Sequence, residues 1–428
     1  MKLKFSIILI LILFLGCDRF VEKPNWFKGN LHTHTLWSDG DAPPETVVNW
    51  YRKNGYKFLA LSDHNILSAG EKWITVLDTA DTDIWPPQFT IEKLEKLKAE
   101  FGEGWPVLRQ RNDTLQMRLK TLKELKDKFE QPGEFILIQA EEITDAFENY
   151  PVHLNATNLE SLISPQGGSS VYEVMQRNMD AVVYQREQTN RSMIAHINHP
   201  NFGWGIVAED LIRLEGDSFF EVYNGHPSVK NWGDNAHPGT DRIWDIVLTK
   251  RLYMDGDIFY GLATDDAHSY YNFKVGTANA GRGWVMVYGH SLKDEDIVNA
   301  LIAGDFYSSA GVLLDDITIS DNQIKVTIKA EPDVAYTTQF IGTPLHADTS
   351  SFPIADDNGQ PVHISRVYSN EIGQVLFETN ENPAIYHFKN DELYIRAKII
   401  SNRKHPNPYA EGDFEMAWTQ PVVLSTRK

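Results

Sequence analysis

Short apolar runs that end in histidine or in an acidic residue recur between residues 26 and 310. Leu31 leads into His32 and His34, and the apolar run at 58–61 leads into His64. Amphipathic helical patterns separate many of these runs, as expected of βα units. Because the carboxyl ends of parallel strands meet at one edge of a sheet or barrel, this pattern predicts an α/β fold that gathers those side chains in one place.

The first two histidines and the residues after them point to a metal site. His32 and His34 are two residues apart, so on an extended strand both imidazoles leave the same face. Asp39 follows after a short turn-like segment and can fold back toward them, and His64 adds another imidazole. Imidazole and carboxylate groups that converge in this way bind zinc, manganese or iron in proteins.

The same motifs carry a family resemblance. His32-Thr33-His34 with Ser38-Asp39-Gly40, then Ser62-Asp63-His64-Asn65, resemble the opening of the polymerase and histidinol phosphatase (PHP) metallohydrolases, and segments at 140–144, 153, 195–200, 221–225 and 264–268 follow in the family's order. The resemblance spans residues 26–310 and implies a distorted (β/α)7-type, TIM-like barrel. Within the family, the chain resembles a secreted, lipoprotein branch that is related to carbamate-cleaving members. By resemblance, two or three divalent ions (Zn, Mn or Fe) with bridging carboxylates would be held by His32, His34, Asp39, His64, Glu142, His153, His199, Asp266 and His268.

Two neighbouring pairs compete for a ligand position. Glu141 and Glu142 point to opposite faces of a strand, so only one of them can face the site. His196 and His199 pose the same choice. The resemblance favours Glu142, and it favours His199 because His199 precedes Pro200 as in the family. His196 would then lie behind the ligands or in the core.

Two further carboxylates are candidates for supporting roles. The resemblance places Asp266 and His268 among the ligands and leaves Asp265 as an acceptor behind them. Asp63, directly before His64, is expected to orient a ligand imidazole through a hydrogen bond.

Three residues are candidates for direct catalytic roles. A histidine that does not bind metal, His226 or His196, would protonate the leaving group. Arg282 lies between two glycines, which allow close approach of a ligand, and its guanidinium could grip an anion; a surface arginine is the alternative. Tyr223 and Asn224 belong to a segment that either lines the pocket or forms a structural loop.

The amino terminus reads as an export signal. Residues 1–4 contain two lysines and precede an apolar run of about eleven residues at 5–15. This run is too short to span a bilayer, which takes about 20, but it is typical of a signal peptide. Gly16-Cys17 at its end resembles a lipoprotein cleavage site, with a plain secretory signal as the alternative. The prediction is a signal at 1–17 and a lipid on Cys17, the only cysteine, which anchors the protein in the bacterial envelope, on the periplasmic side or at the surface.

Two regions depart from the alternating pattern. Residues 66–133 are predicted to form a helical insertion that includes a helix at 114–129. After residue 311, short runs of period-two alternation predict an antiparallel β-sandwich over 311–428. This domain would pack on the barrel as a lid, or bind a glycan or another partner.

The net charge is −19, from 59 acidic and 40 basic residues, and disfavours long nucleic acids as partners, because binding their backbone requires Lys and Arg. The first hypothesis is a metal-dependent phosphoesterase acting on a small phosphomonoester or nucleotide. The alternatives are hydrolysis of a non-phosphate ester, carbamate or amide at the same centre, and a non-catalytic binding lipoprotein of the envelope. The oligomeric state is left open.

Overall fold

The structure, a computed structural model, describes residues 24–81, 84–356, 358–360 and 362–424. The predicted signal at 1–17 and Cys17 lie outside the described residues. Among the described residues, no helix has the length and apolar character needed to cross a membrane.

Strands and helices alternate in the first part of the chain, and strands dominate after residue 305. The strands are β1 (Asn25–Asn30), β2 (Phe58–Leu61), β3 (Trp73–Thr75), β4 (Val107–Arg111), β5 (Thr114–Arg118), β6 (Ile136–Phe147), β7 (Tyr150–Thr157), β8 (Ile194–Ile197), β9 (Phe219–Asn224), β10 (Tyr260–Thr264), β11 (Trp284–Gly289), β12 (Phe306–Ala310), β13 (Leu314–Ser320), β14 (Gln323–Ile328), β15 (Tyr336–Pro344), β16 (Ser351–Phe352), β17 (Val367–Tyr368), β18 (Gln374–Thr379), β19 (Ala384–His387), β20 (Glu392–Lys404) and β21 (Phe414–Thr419). The helices are α1 (Pro44–Lys53), α2 (Ile91–Phe101), α3 (Leu122–Phe129), α4 (Val171–Thr189), α5 (Ala208–Arg213), α6 (Thr240–Tyr253) and α7 (Asp294–Ala303).

Thirteen strands form one large mixed sheet, in the order β10-β9-β8-β7-β6-β2-β1-β11-β12-β21-β20-β15-β18. Every residue of β2, β8 and β9 is buried, which explains their nearly continuous apolar sequences, since strands covered on both faces lose the polar alternation. The prediction of a mixed α/β fold is confirmed.

The prediction of a closed TIM-like barrel is not confirmed, because this sheet has two free ends, at β10 and β18. The βα alternation also breaks where β6 and β7 form an antiparallel hairpin. The hairpin follows from a two-residue turn in which Glu148 has a positive φ of 52°, the conformation that tight hairpins favour.

Strands from the last third of the chain extend the same sheet. β12 ends at Ala310 and pairs with β21, which in turn pairs with β20. The separate antiparallel sheet β13-β14-β19 shares a hydrophobic core with β15, β20 and β21, for example through Ile324, Phe340 and Ile399. The predicted change to antiparallel strands after 311 is present, while the division into domains at that residue remains a prediction.

The segment 66–133 contains more than helices. It forms a three-stranded antiparallel sheet of β3, β5 and β4 beside α2 and α3. The predicted helix at 114–129 is wrong in its first part, where residues 114–118 form β5. Asn112 and Asp113 both have positive φ, 48° and 57°, and make the two-residue turn that joins β4 to β5.

Candidate metal centre

All nine predicted ligand residues converge at one edge of the large sheet. They lie just after β1, β2, β8 and β10, or within β6 and β7, and single bridges pair Thr33 with Ala267 and His64 with Glu142. Their ligand atoms form several overlapping groups, and within each group the atoms lie within 4.8 Å of one another and could hold a metal ion. Together these groups contain His32, His34, Asp39, His64, Glu142, His153, His199, Asp266 and His268. A further group consists of His32, His196 and Glu221.

Four of these residues form the buried centre of the cluster. His32 Nε2 lies 3.3 Å from Glu142 Oε2 and 3.3 Å from Asp266 Oδ1, and His34 Nε2 lies 3.3 Å and 3.2 Å from the same two oxygens. Both Nε2 atoms and Glu142 Oε2 are buried without a hydrogen-bond partner. Unpaired buried polar atoms are rare, and two imidazole nitrogens facing two carboxylate oxygens are a donor set that fits a divalent cation.

Glu142 connects this centre to a second group. Its Oε1 lies 2.9 Å from His153 Nδ1 and 3.5 Å from His199 Nε2, whereas its Oε2 faces His32 and His34. The two oxygens of one carboxylate therefore face two different sets of imidazoles, which is the arrangement of a bridging ligand.

Asp39 organises a third group on the solvent side. Its Oδ1 lies 3.4 Å from His268 Nε2 and its Oδ2 lies 3.4 Å from His64 Nε2. The side chains of His64 and Asp39 keep 25% and 17% of their surface exposed, whereas those of His32 and His34 are fully buried. The cluster thus opens to solvent on the side of His64 and Asp39.

The protonation equilibria of the cluster show how strongly it attracts positive charge. Burial lowers the pKa of His32, but Asp266, Glu221 and Glu142 overcome this and raise it well above its usual value. Burial raises the pKa of Glu142, but His64, His32 and His153 hold it well below the usual range. The negative charges that stabilise a proton on His32 would also stabilise a metal ion at the centre of the cluster.

Glu221 holds His32 from behind. It accepts hydrogen bonds from His32 Nδ1 (2.7 Å), the Thr264 hydroxyl (2.7 Å), the His199 backbone N–H (2.7 Å) and the Asn224 side-chain amide (2.8 Å). Donation from Nδ1 leaves the Nε2 lone pair of His32 free for a metal. Sequence analysis did not name Glu221 as a site residue, although an acidic residue inside a wholly buried apolar strand was a usable signal.

Asp63 does not orient an imidazole, so that prediction is wrong. It accepts from the backbone N–H groups of Thr35 (2.8 Å) and Ser38 (3.1 Å) and from both their hydroxyls (2.9 and 2.6 Å). These bonds instead shape the loop that carries His34 and Asp39. The sequence places the carboxylate beside His64, but side chains of adjacent residues on an extended chain diverge.

Asp265 has the predicted supporting role as an acceptor. Its carboxylate accepts from Tyr51 Oη (2.7 Å) and from the backbone N–H groups of Gly281, Arg282 and Gly283 (2.8, 2.6 and 2.9 Å). It therefore fixes the loop beside the strand end that carries Asp266.

Glu141 belongs to none of the groups of possible ligand atoms, whereas His196 shares one with His32 and Glu221. Glu141 points to the opposite face of β6, accepts from the Ile163 N–H at 2.6 Å, and has its pKa raised by burial to about 8. His196 is fully buried, with Nε2 3.5 Å from Glu221 Oε1. Its two ring nitrogens are buried without a hydrogen-bond partner, and its role as the group that protonates a leaving group stays a prediction.

Arg282 is a structural residue, and the prediction that it grips an anion is also wrong. The side chain is fully buried, and its Nη atoms donate to the carbonyls of Gly225 (2.7 Å), Thr277 (2.7 Å) and Lys274 (3.1 Å). These bonds occupy the guanidinium face that a substrate anion would need. Gly225 allows this close packing, since a Cβ at that position would lie 2.9 Å from the Arg282 Cβ.

His226 is the catalytic candidate that does lie at the site. Its ring centroid is 5.4 Å from that of His268, and it is partly exposed. Its Nδ1 accepts from the Ser228 N–H at 3.1 Å, so a neutral ring carries its proton on Nε2. Burial lowers the pKa of His226 to about 4, which makes the ring a hydrogen-bond donor more than an acid.

The two other residues of this segment divide between core and site. Tyr223 is buried and its ring lies 5.8 Å from that of Trp418, so it belongs to the core. Asn224 donates to Asp266 Oδ2 at 3.1 Å and so touches a predicted ligand. A cleft of about 670 Å³ opens beside the cluster between His153 and Phe202.

Comparison with known proteins finds few similarities. No protein-family model matches the chain, and no curated protein does. Among solved structures, a two-domain protein from Bacteroides vulgatus that contains a predicted PHP-like metal-dependent phosphoesterase is 14% identical, with 93% of this chain and 96% of that chain covered at a TM-score of 0.39. A protein from Bifidobacterium adolescentis, described as an inferred metal-dependent phosphoesterase, is 14% identical, with 66% and 97% covered at a TM-score of 0.28. TM-scores this low leave the function to be argued from the site.

Proposed function

We propose that this chain is a divalent-metal-dependent hydrolase, and specifically a PHP-type phosphoesterase that acts on a small phosphomonoester or nucleotide. The observation that carries the proposal is the convergence of His32 Nε2, His34 Nε2, Glu142 Oε2 and Asp266 Oδ1 at 3.2–3.3 Å, with both imidazole atoms lacking any other partner. Such a set binds a cation or a proton, and a metal site with an open side is suited to hydrolysis.

In this proposal each group of residues binds one metal ion or supports the residues that do. The central four would hold one ion, His153 and His199 with Glu142 a second, and Asp39, His64 and His268 a third. Bound divalent ions would activate a water molecule as the nucleophile and neutralise the oxygens of the substrate. Glu221 keeps His32 in the metal-binding tautomer, and the Nε2–H of His226 can donate a hydrogen bond to a substrate oxygen.

The number of bound metal ions sets the net charge that the site presents to a substrate. Asp39, Glu142, Asp266 and Glu221 together carry four negative charges when ionised. Two divalent ions balance them, whereas a third leaves a net charge of two positive, which matches a phosphomonoester dianion. The phosphoesterase proposal therefore includes three occupied positions during turnover.

The test combines metal analysis with substrate profiling. Purified protein is loaded with Zn²⁺ or Mn²⁺, its metal content is measured by mass spectrometry, and hydrolysis of phosphomonoesters, phosphodiesters, esters and carbamates is assayed. We expect two to three ions and phosphomonoester hydrolysis, and loss of both metal and activity in Asp266→Asn. An Asp266→Asn protein with wild-type metal content and a wild-type rate of hydrolysis would refute the assignment of Asp266 as a metal ligand.

Hydrolysis of a non-phosphate ester, carbamate or amide is the second candidate, and one observation favours it. Within the described part of the chain, no lysine or arginine forms an ion pair with Asp39, Glu142 or Asp266, and Arg282 is occupied by backbone carbonyls. A neutral substrate needs no such cation. Cleavage of a carbamate without detectable phosphoester cleavage would select this candidate.

The cellular location stays a proposal from the sequence alone. A lipid on Cys17 would anchor the protein in the bacterial envelope. Cys17→Ala should move the protein from the membrane fraction to the soluble fraction, with processing checked by mass spectrometry; a soluble wild type would contradict the anchor.

A further inference from the structure

Trp85 is the most exposed of the eleven tryptophans, with 64% of its surface accessible. It lies between β3 and α2, in the segment inserted after the first motifs. Exposure of most of an indole side chain is unfavourable in water, since burying a large apolar side chain gains about 1.5–3 kcal/mol. Such a ring next to a polar metal cluster calls for an explanation.

The indole lies at the mouth of the candidate metal centre. Its ring centroid is 6.2 Å from that of His268, with the planes tilted by 40°. His268 in turn contacts Asp39, whose side chain is one of the solvent-facing members of the cluster. Trp85 therefore borders the side from which a substrate would approach.

The ring continues an aromatic wall along that side. From His268 the wall passes to His226 (5.4 Å between centroids) and from His226 to Phe202 (6.4 Å), which also contacts His199 (5.0 Å). Phe202 lines the cleft beside His153. The opening is thus bordered by aromatic rings, whereas its floor is made of charged ligands.

We infer that the substrate carries a flat apolar group directly beside its scissile bond, and that this group stacks on Trp85 while the hydrolysed group contacts the metal centre. This inference rests on the proposed function and names the class of substrate within it. Aryl groups, nucleobases and the apolar faces of sugar rings share this chemistry. An acyclic, fully polar leaving group such as glycerol would leave the indole exposed.

The test compares two non-hydrolysable probes that have the same charged head. Phenylphosphonate and methylphosphonate are titrated by calorimetry into the metal-loaded protein, with cyclohexylphosphonate as a probe that is apolar but not flat. Wild type should bind phenylphosphonate roughly 2- to 12-fold more tightly than methylphosphonate, the range for one aromatic pair. Trp85→Ala should lose this preference with unchanged metal content, and Trp85→Phe should retain much of it.

A matched control is Tyr184→Ala on α4, which removes an aromatic ring of nearly equal exposure, 63%, that belongs to none of the groups of possible ligand atoms. It should leave both affinities unchanged. Equal binding of phenyl- and methylphosphonate by wild type, or a phenyl preference that survives in Trp85→Ala, would overturn the inference and leave the proposed function standing. If neither phosphonate binds and no phosphomonoester is cleaved, the proposed phosphoesterase function fails, and this inference with it.

Discussion

Replacement of Glu221 by glutamine gives the sharpest test of how the metal centre is built. The change keeps the shape of the side chain but removes its charge and one acceptor oxygen. Oε1 accepts from His32 Nδ1 and the Thr264 hydroxyl, and Oε2 accepts from the His199 N–H and the Asn224 amide. Whichever end becomes the amide nitrogen, two buried donors lose their acceptor.

The expected magnitude follows from those contacts. If the amide nitrogen faces His32, no acceptor holds the imidazole proton on Nδ1. Part of the population then carries the proton on Nε2, where it blocks the lone pair that would bind the metal. Loss of an outer partner of this kind costs roughly 10- to 100-fold in metal affinity, equivalent to about 1.4–2.7 kcal/mol. We expect Glu221→Gln to bind zinc more weakly by this factor.

The assay is competition for zinc with a chromophoric chelator, with folding checked by circular dichroism. Glu141→Gln is the matched control, because Glu141 is equally buried but accepts a single N–H, from Ile163, on the opposite face. It should leave zinc affinity unchanged. Wild-type affinity in a folded Glu221→Gln protein would refute the idea that Glu221 prepares His32 for metal.

Three further outcomes are expected. Arg282→Met should lower the free energy of unfolding by about 3 kcal/mol, because three buried carbonyls lose their donors at about 1 kcal/mol each, while metal content is unchanged; a stable variant with a raised KM would instead restore the anion-binding role. Burial raises the pKa of Glu45 from 4.5 to about 7, so the folded protein holds that proton more tightly and loses about 3 kcal/mol of stability as the pH rises from about 4.5 to about 7. Glu45→Gln should therefore be more stable than wild type at pH 8 and similar at pH 4 in urea titrations, and a difference independent of pH would contradict this. Removal of metal with a chelator should lower the free energy of unfolding by about 4 kcal/mol relative to protein with free metal a thousandfold above Kd, and an unchanged melting temperature would argue against bound metal.

Local spacing was enough to predict much of the molecule. The two-residue separation of His32 and His34 predicted that both side chains lie on the same face of the chain. The largely apolar runs at 58–61 and 219–222 were predicted to be strands, and in the structure they are strands whose side chains are buried on both faces. The hairpin of β4 and β5 was missed because Asn112-Asp113 was not recognised as a turn, although both residues adopt the left-handed conformation.

Long-range hydrogen bonding accounts for the other differences. Arg282 donates to the carbonyl of Gly225, 57 residues away, and no sequence pattern shows that a guanidinium between glycines will bind backbone instead of ligand. Asp63 likewise serves the loop at 35–38 instead of its neighbour His64. The distorted TIM-like barrel was implied by the family resemblance, but pairing of β12 with β21 joins segments more than 100 residues apart in one open sheet.

The position of β21 has a consequence for the biosynthesis of the protein. Directly after this strand, the side-chain amide of Gln420 binds both the N–H (3.0 Å) and the carbonyl (2.9 Å) of Gly261, in the strand that leads to Asp266. Gln420 follows His32 by nearly 400 residues, so the first ligands leave the ribosome long before the last support of the cluster exists. The strand that leads to Asp266 can therefore gain these two hydrogen bonds only after residue 420 has been synthesised, so we expect the candidate metal centre to reach its final geometry after translation.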